Sequence, residues 1–109
     1  MKAVAKLTLA TALLAGSGSA AMAVCDTGGM RSPGTNDQRL ITVRNAVPDR
    51  SAKLYWIDFQ GNKKLYATIP PNGSHTQQTY IGHIWTSENS YGYCDIIFTV
   101  QNNAEIIIK

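Results

Sequence analysis

After residue 38 the chain alternates short apolar or aromatic runs with clusters of turn residues. Nowhere after Ala23 do apolar residues recur at the i, i+3, i+4, i+7 spacing of an amphipathic helix. β-Strands are predicted instead, over residues 40–45, 53–59, 64–69, 74–80, 83–87, 95–101 and 105–109. Pro48-Asp49, Gln60-Gly61-Asn62 and Asn102-Asn103 punctuate the runs. Pro70-Pro71-Asn72-Gly73 is the strongest turn signal, because proline fixes φ and Asn-Gly accepts positive φ. Asn72-Gly73-Ser74 also spells a glycosylation sequon, but the turn needs those residues in any case.

About seven short strands at this spacing predict an all-β domain, a small antiparallel sandwich or a small barrel. The run 96–100 is apolar at nearly every position and reads as a central strand. Residues 26–38 are too polar and too rich in glycine for regular structure. No repeat period is present.

The first 23 residues read as a signal peptide: Lys2 and Lys6, an apolar stretch over 7–15, then small residues closing on Ala21-Met22-Ala23. The apolar stretch is shorter than the about 20 residues a membrane span needs. Val24 separates the cut from Cys25, which favours a secreted or periplasmic protein over a lipid-anchored one. Three segments are therefore expected: a signal peptide over 1–23, an irregular N-terminal segment over 24–38 and a sandwich over 39–109. Without Lys2 and Lys6 the chain keeps 8 basic and 7 acidic residues, a net charge of +1. No basic stripe remains to track a phosphate backbone, so nucleic-acid binding is not expected, and the Lys63-Lys64 pair reads as a solvated turn tip. A domain of this size buries only about 60–65% of its unfolded surface. Cys25 and Cys94, in an exported chain, are read first as a disulfide. It would close a loop of about 70 residues, for which chain entropy gives about 4 kcal/mol.

Catalytic signatures are weak. There is no Gly-x-Ser-x-Gly elbow and no His-Glu-x-x-His pair, and Ser74 beside His75 points to opposite faces of a strand. His75 and His83, eight apart, make no metal set, and no cofactor is implied. The aromatic residues carry more. Trp56, Tyr66, Tyr80 and Trp85 sit on separate predicted strands and can converge, while His83 and Trp85 share a strand face. Thr79 and Tyr80 have opposite parity, so a pocket using both requires a bend at Ile81-Gly82. Two readings stay open from pattern alone: an aromatic-walled binding pocket, or core tryptophans with a satisfied histidine.

These segments resemble the β-domain of the von Hippel–Lindau (VHL) tumour suppressor family. The family's Trp-x-x-Phe-x-Gly reads here Trp56-Ile57-Asp58-Phe59-Gln60-Gly61. Its Tyr-x-Thr-Leu-Pro-Pro reads Tyr66-Ala67-Thr68-Ile69-Pro70-Pro71, and its Ser-Tyr-x-Gly-His-Leu-Trp reads Thr79-Tyr80-Ile81-Gly82-His83-Ile84-Trp85. Asn45 matches the asparagine of the family's first strand. The resemblance implies a prealbumin-like β-sandwich whose site binds 4-hydroxyproline in an extended peptide. It implies that Trp56, Tyr66 and Trp85 wall the ring, that Thr79 (serine in the family) and His83 hydrogen-bond the hydroxyl, and that Gln78 (histidine in the family) and Tyr80 meet the flanking peptide. The chain ends at Lys109, soon after the last strand, so neither the helical domain that recruits Elongin nor a ubiquitin-ligase role is expected.

The resulting expectation is a secreted, non-catalytic peptide-recognition module with a proline- or hydroxyproline-containing partner. Its rivals are a carbohydrate-binding module, with Thr79, His83 and Asp58 reading sugar hydroxyls, and a structural or assembly domain whose tryptophans are core.

Overall fold

Burial alternates along the first strand, β1 (Gln38–Asn45): Ile41, Val43 and Asn45 are buried while Leu40 and Arg44 face outward. That period of two commits one face of β1 to the core. A computed structural model describes residues 24–109, so the signal peptide expected over 1–23 lies outside the described residues. Six further strands follow: β2 (Ala52–Ile57), β3 (Lys63–Ile69), β4 (Ser74–Tyr80), β5 (Ile84–Asn89), β6 (Cys94–Thr99) and β7 (Ala104–Ile108).

The seven strands form two sheets, a three-stranded one in the order β4-β1-β7 and a four-stranded one in the order β3-β2-β5-β6. Ile41, Val43, Ala52, Leu54, Ile69, Trp85, Val100 and Ile108 make one buried cluster with contributions from both sheets. The all-β sandwich is therefore as the strand count predicts. All pairs are antiparallel except β1 with β7, which run parallel and place Val43 opposite Ile106. Such a pair cannot be made by a hairpin. Among the described residues no helix is long and apolar enough to cross a membrane.

Two expectations are corrected. The apolar run 96–100 is not a central strand: β6 lies at the edge of its sheet, with Ile96 and Phe98 packed against the core and Val100 buried beyond the strand's end. The strand buried at nearly every position is β5, whose sequence is mixed. Nor is Lys63 a merely solvated tip. Its ammonium lies 2.6 Å from the carboxylate of Glu88, which is only 4% exposed, and 4.6 Å from the centre of the Tyr55 ring.

The connections use the turn chemistry of the sequence. Gly73 N–H donates to Pro70 O at 2.9 Å, and Asn72 takes φ 62°. Buried Asn45 braces the loop after β1: its amide donates to Arg50 O at 2.7 Å and Ile69 O at 3.2 Å, and its carbonyl accepts from Val47 N–H at 3.1 Å. Residues 24–37 have no helix or strand, and Cys25 is bonded to Cys94.

Candidate functional site: an aromatic cleft with a polar floor

Trp56 on β2 and Trp85 on β5 are direct cross-strand partners and present their rings to the same side of the sheet. Tyr66 comes from β3 and meets Trp85 edge to face, with ring centres 5.1 Å apart at 81°. On the other side of Trp56 the β2–β3 turn brings Phe59 edge-on at 5.1 Å, and His83 stacks on Trp56 at 5.5 Å with the planes 27° apart. Edge-to-face pairs of this kind contribute about 0.5–1.5 kcal/mol each beyond the area they bury.

The end of β4 closes the site. Adjacent residues of a straight strand point to opposite faces, yet Gln78, Thr79 and Tyr80 all line one cleft. The expected bend is present: Ile81-Gly82 form a turn in which His83 N–H donates to Tyr80 O at 3.1 Å, and Gly82 takes φ 82°, a conformation that favours glycine. The result is a cleft of about 140 Å³ lined by Trp56, Phe59, Tyr66, Gln78, Thr79, Tyr80, His83 and Trp85. All seven candidate binding residues named from sequence are brought together here. Phe59 is an addition; it sits in the Trp-x-x-Phe motif, but its role was not legible because it lies past the end of β2.

The cleft has a buried floor and an open rim. Thr79, His83 and Trp85 are buried, whereas Tyr66 and Phe59 are about half exposed. Each polar floor residue is held by a tryptophan. Trp85 Nε1–H donates to Thr79 Oγ1 at 2.9 Å, and Trp56 Nε1–H donates to His83 Nδ1 at 3.1 Å. The second bond makes Nδ1 the acceptor and leaves the proton of the neutral ring on Nε2. Burial holds His83 below its ordinary value of 6.5, and the Pro33 backbone carbonyl opposes part of that effect. Nε2 is buried without a hydrogen-bond partner among the described residues. Thr79 keeps its own O–H proton free to donate. The floor therefore offers a hydroxyl donor beside a neutral imidazole whose Nδ1 is already paired.

Asp58, a candidate reader of sugar hydroxyls, does not line the cleft. It is buried in the β2–β3 turn, where its Oδ1 accepts from the N–H groups of Gln60 at 2.9 Å and Asn62 at 2.8 Å. His75 Nε2 lies 2.9 Å from Gln77 Oε1, and His75 does not line the cleft. Among the described residues no group of three or more His, Cys, Asp or Glu side chains is placed to hold a metal ion.

Comparison with known proteins bears on the cleft directly. No match is found among curated proteins. Residues 30–105 match the family model of the VHL beta domain, a span that contains every residue of the cleft. Fold and match agree, and the chain belongs to the VHL β-domain family.

Proposed function

We propose that this chain is an exported, non-catalytic recognition module whose cleft receives a prolyl or 4-hydroxyprolyl ring of an extended peptide. One observation carries the reading: a hydroxyl and an imidazole, Thr79 and His83, are both buried in the lining of a cleft walled by Trp56, Tyr66 and Trp85. A pyrrolidine ring is apolar, rigid and loses little entropy on binding, so aromatic walls suit it. The ligand hydroxyl accepts from Thr79 O–H and lies against the neutral His83 ring, whose Nδ1 stays paired with Trp56 N–H. An unhydroxylated ring leaves Thr79 unpaired in a desolvated site, which costs about 1–3 kcal/mol. Gln78 and Tyr80 meet the residues on either side. They lie on β4, an outer strand of its sheet, whose unpaired backbone groups suit an extended chain.

The family's ligand type supports a peptide partner. Export is proposed from the pattern of residues 1–23, and the Cys25–Cys94 bond is compatible with an oxidising compartment. The carbohydrate reading loses Asp58 to a turn.

Calorimetric titration of the oxidised chain against paired peptides differing only in a proline 4-hydroxyl tests the proposal. Hydroxyl-dependent binding that disappears in folded Thr79→Val and His83→Ala variants supports it. No binding to either peptide refutes it.

A further inference from the structure

His83 and the turn that precedes it are touched by a segment with no regular structure. Residues 25–35 run from β6 past the end of β2 to the Ile81-Gly82 turn. At one end Cys25 is bonded to Cys94, and its sulfur lies 3.5 Å from Ser87 O, a packing contact because an oxidised sulfur carries no proton. In the middle, a Cβ at Gly61 would meet Met30 O at 3.1 Å.

Ser32 is the centre of the segment. It is buried, its hydroxyl donates to Ile57 O and accepts from Ile84 N–H at 2.9 Å, and its own N–H donates to Asp58 O at 3.2 Å. One serine thus ties the last residue of β2 to the first of β5, the two strands that carry Trp56 and Trp85. Pro33 comes next: its Cγ would lie 2.9 Å from a Cβ at Gly82, so the ring occupies the space against the turn. Thr35 Oγ1 then donates to Ile81 O at 2.6 Å, and Ile81 N–H donates to Asp37 O at 2.8 Å.

We propose that residues 25–35 form a strap that positions His83 and the paired tryptophans, with Ser32 and Pro33 as positioning residues and the Cys25–Cys94 bond as the anchor. The inference rests on the reading that the cleft is the binding site. Buried backbone groups need partners. Without Ser32, Ile57 O and Ile84 N–H lose theirs at the point where His83 enters β5. Water or a local shift then satisfies them, and the Trp56–His83 bond loosens. The anchor links this to redox state: a dithiol reductant converts the disulfide to two thiols, becoming a disulfide itself, and frees the strap's first turn. Cys25 lies outside the matched span 30–105 whereas Ser32 and Pro33 lie inside it, so the anchor extends beyond the family match.

The test uses the 15N-labelled chain and two readouts: hydrogen exchange of Trp56 Nε1–H with the His83 ring 15N shifts, which needs no ligand, and titration with the 4-hydroxyprolyl peptide. With the disulfide intact, Ser32→Ala is expected to speed Trp56 Nε1–H exchange and raise the peptide Kd, each about tenfold. Reduction by dithiothreitol acts in the same direction, and reoxidation restores both values. Unchanged exchange and ring shifts in a folded Ser32→Ala chain overturn the proposal. If Ser32→Ala or the reduced chain unfolds, Pro33→Gly decides, since it leaves the Ser32 bonds in place: faster exchange supports the strap and unchanged exchange overturns it. An oxidised wild-type chain that ignores the peptide sinks the functional reading alone, because the exchange measurement still tests the strap.

Discussion

Trp85 Nε1–H donates to Thr79 Oγ1 at 2.9 Å in a fully buried pair, so the residue proposed to read a ligand hydroxyl is also the acceptor that lets a core tryptophan be buried. The two roles use different parts of one hydroxyl, a lone pair for Trp85 and the proton for the ligand. Thr79→Val keeps the shape and removes both. The expected result is a loss of about 1–3 kcal/mol of stability in urea unfolding, from the orphaned indole N–H, together with equal affinity for prolyl and 4-hydroxyprolyl peptides. Unchanged stability would show that the bond contributes nothing.

The two aromatic walls are not equivalent. Trp85 is 2% exposed and belongs to the core cluster, whereas Tyr66 is 48% exposed at the rim. Trp85→Ala is expected to cost about 3–5 kcal/mol and to leave a small domain marginally folded or unfolded. Tyr66→Ala is expected to stay within about 1 kcal/mol of wild type while weakening peptide binding. Thermal unfolding and titration of both variants check the contrast. A stable Trp85→Ala chain would remove this tryptophan from the core.

His83 is held below 6.5 by burial, so between its folded and unfolded values the unfolded chain binds more protons. Stability therefore rises with pH. The contribution is complete above about 6.5 and is lost as pH falls through the lower folded value. Urea unfolding at pH 5 and pH 7.5 is expected to show a difference that His83→Gln reduces. An equal difference in the variant would assign the dependence to other groups.

Asp95 carries the opposite sign. Burial raises its pKa above the ordinary 3.8 and Glu88 adds repulsion, while the Ser87 hydroxyl and the Arg50 charge oppose the rise. The folded chain binds the extra proton, so this group's contribution is present at low pH and is lost as pH rises through the folded value. Asp95→Asn is expected to match or exceed wild-type Tm at pH 7 and to remove the corresponding fall. A lower Tm would mean that the charge's attraction to Arg50 outweighs its burial.

Seven strands and the cleft's main residues were legible because turn chemistry and the spaced motifs are local. Pro70-Pro71-Asn72-Gly73 specifies its turn whatever surrounds it, and Gly82 is needed at its bend for its φ. What was not legible depends on distant chain. β6 reads as central because Ile96, Ile97 and Phe98 are apolar, but half of that surface faces one sheet at an edge. β5 reads as ordinary because Thr86, Ser87 and Glu88 are polar, yet all are buried. Glu88 is matched by Lys63 and Ser87 lies near Asp95 and Cys25. Ser32 looks like any loop serine until Ile57 and Ile84, 25 and 52 positions away, are placed beside it.

The parallel pairing of β1 sets the order in which this chain can fold. Residue 41 finds one neighbour at residue 77 and the other at residue 104, so among the described strands the earliest in sequence is the last to be flanked on both sides. Few of its contacts are local, and such topologies fold slowly because loop closure precedes any gain from pairing. Until the final strand is available, β1 carries a bare edge and the buried faces of Ile41 and Val43 lack their full cover. The cover over β1 is thus completed only when the last of the described strands is in place.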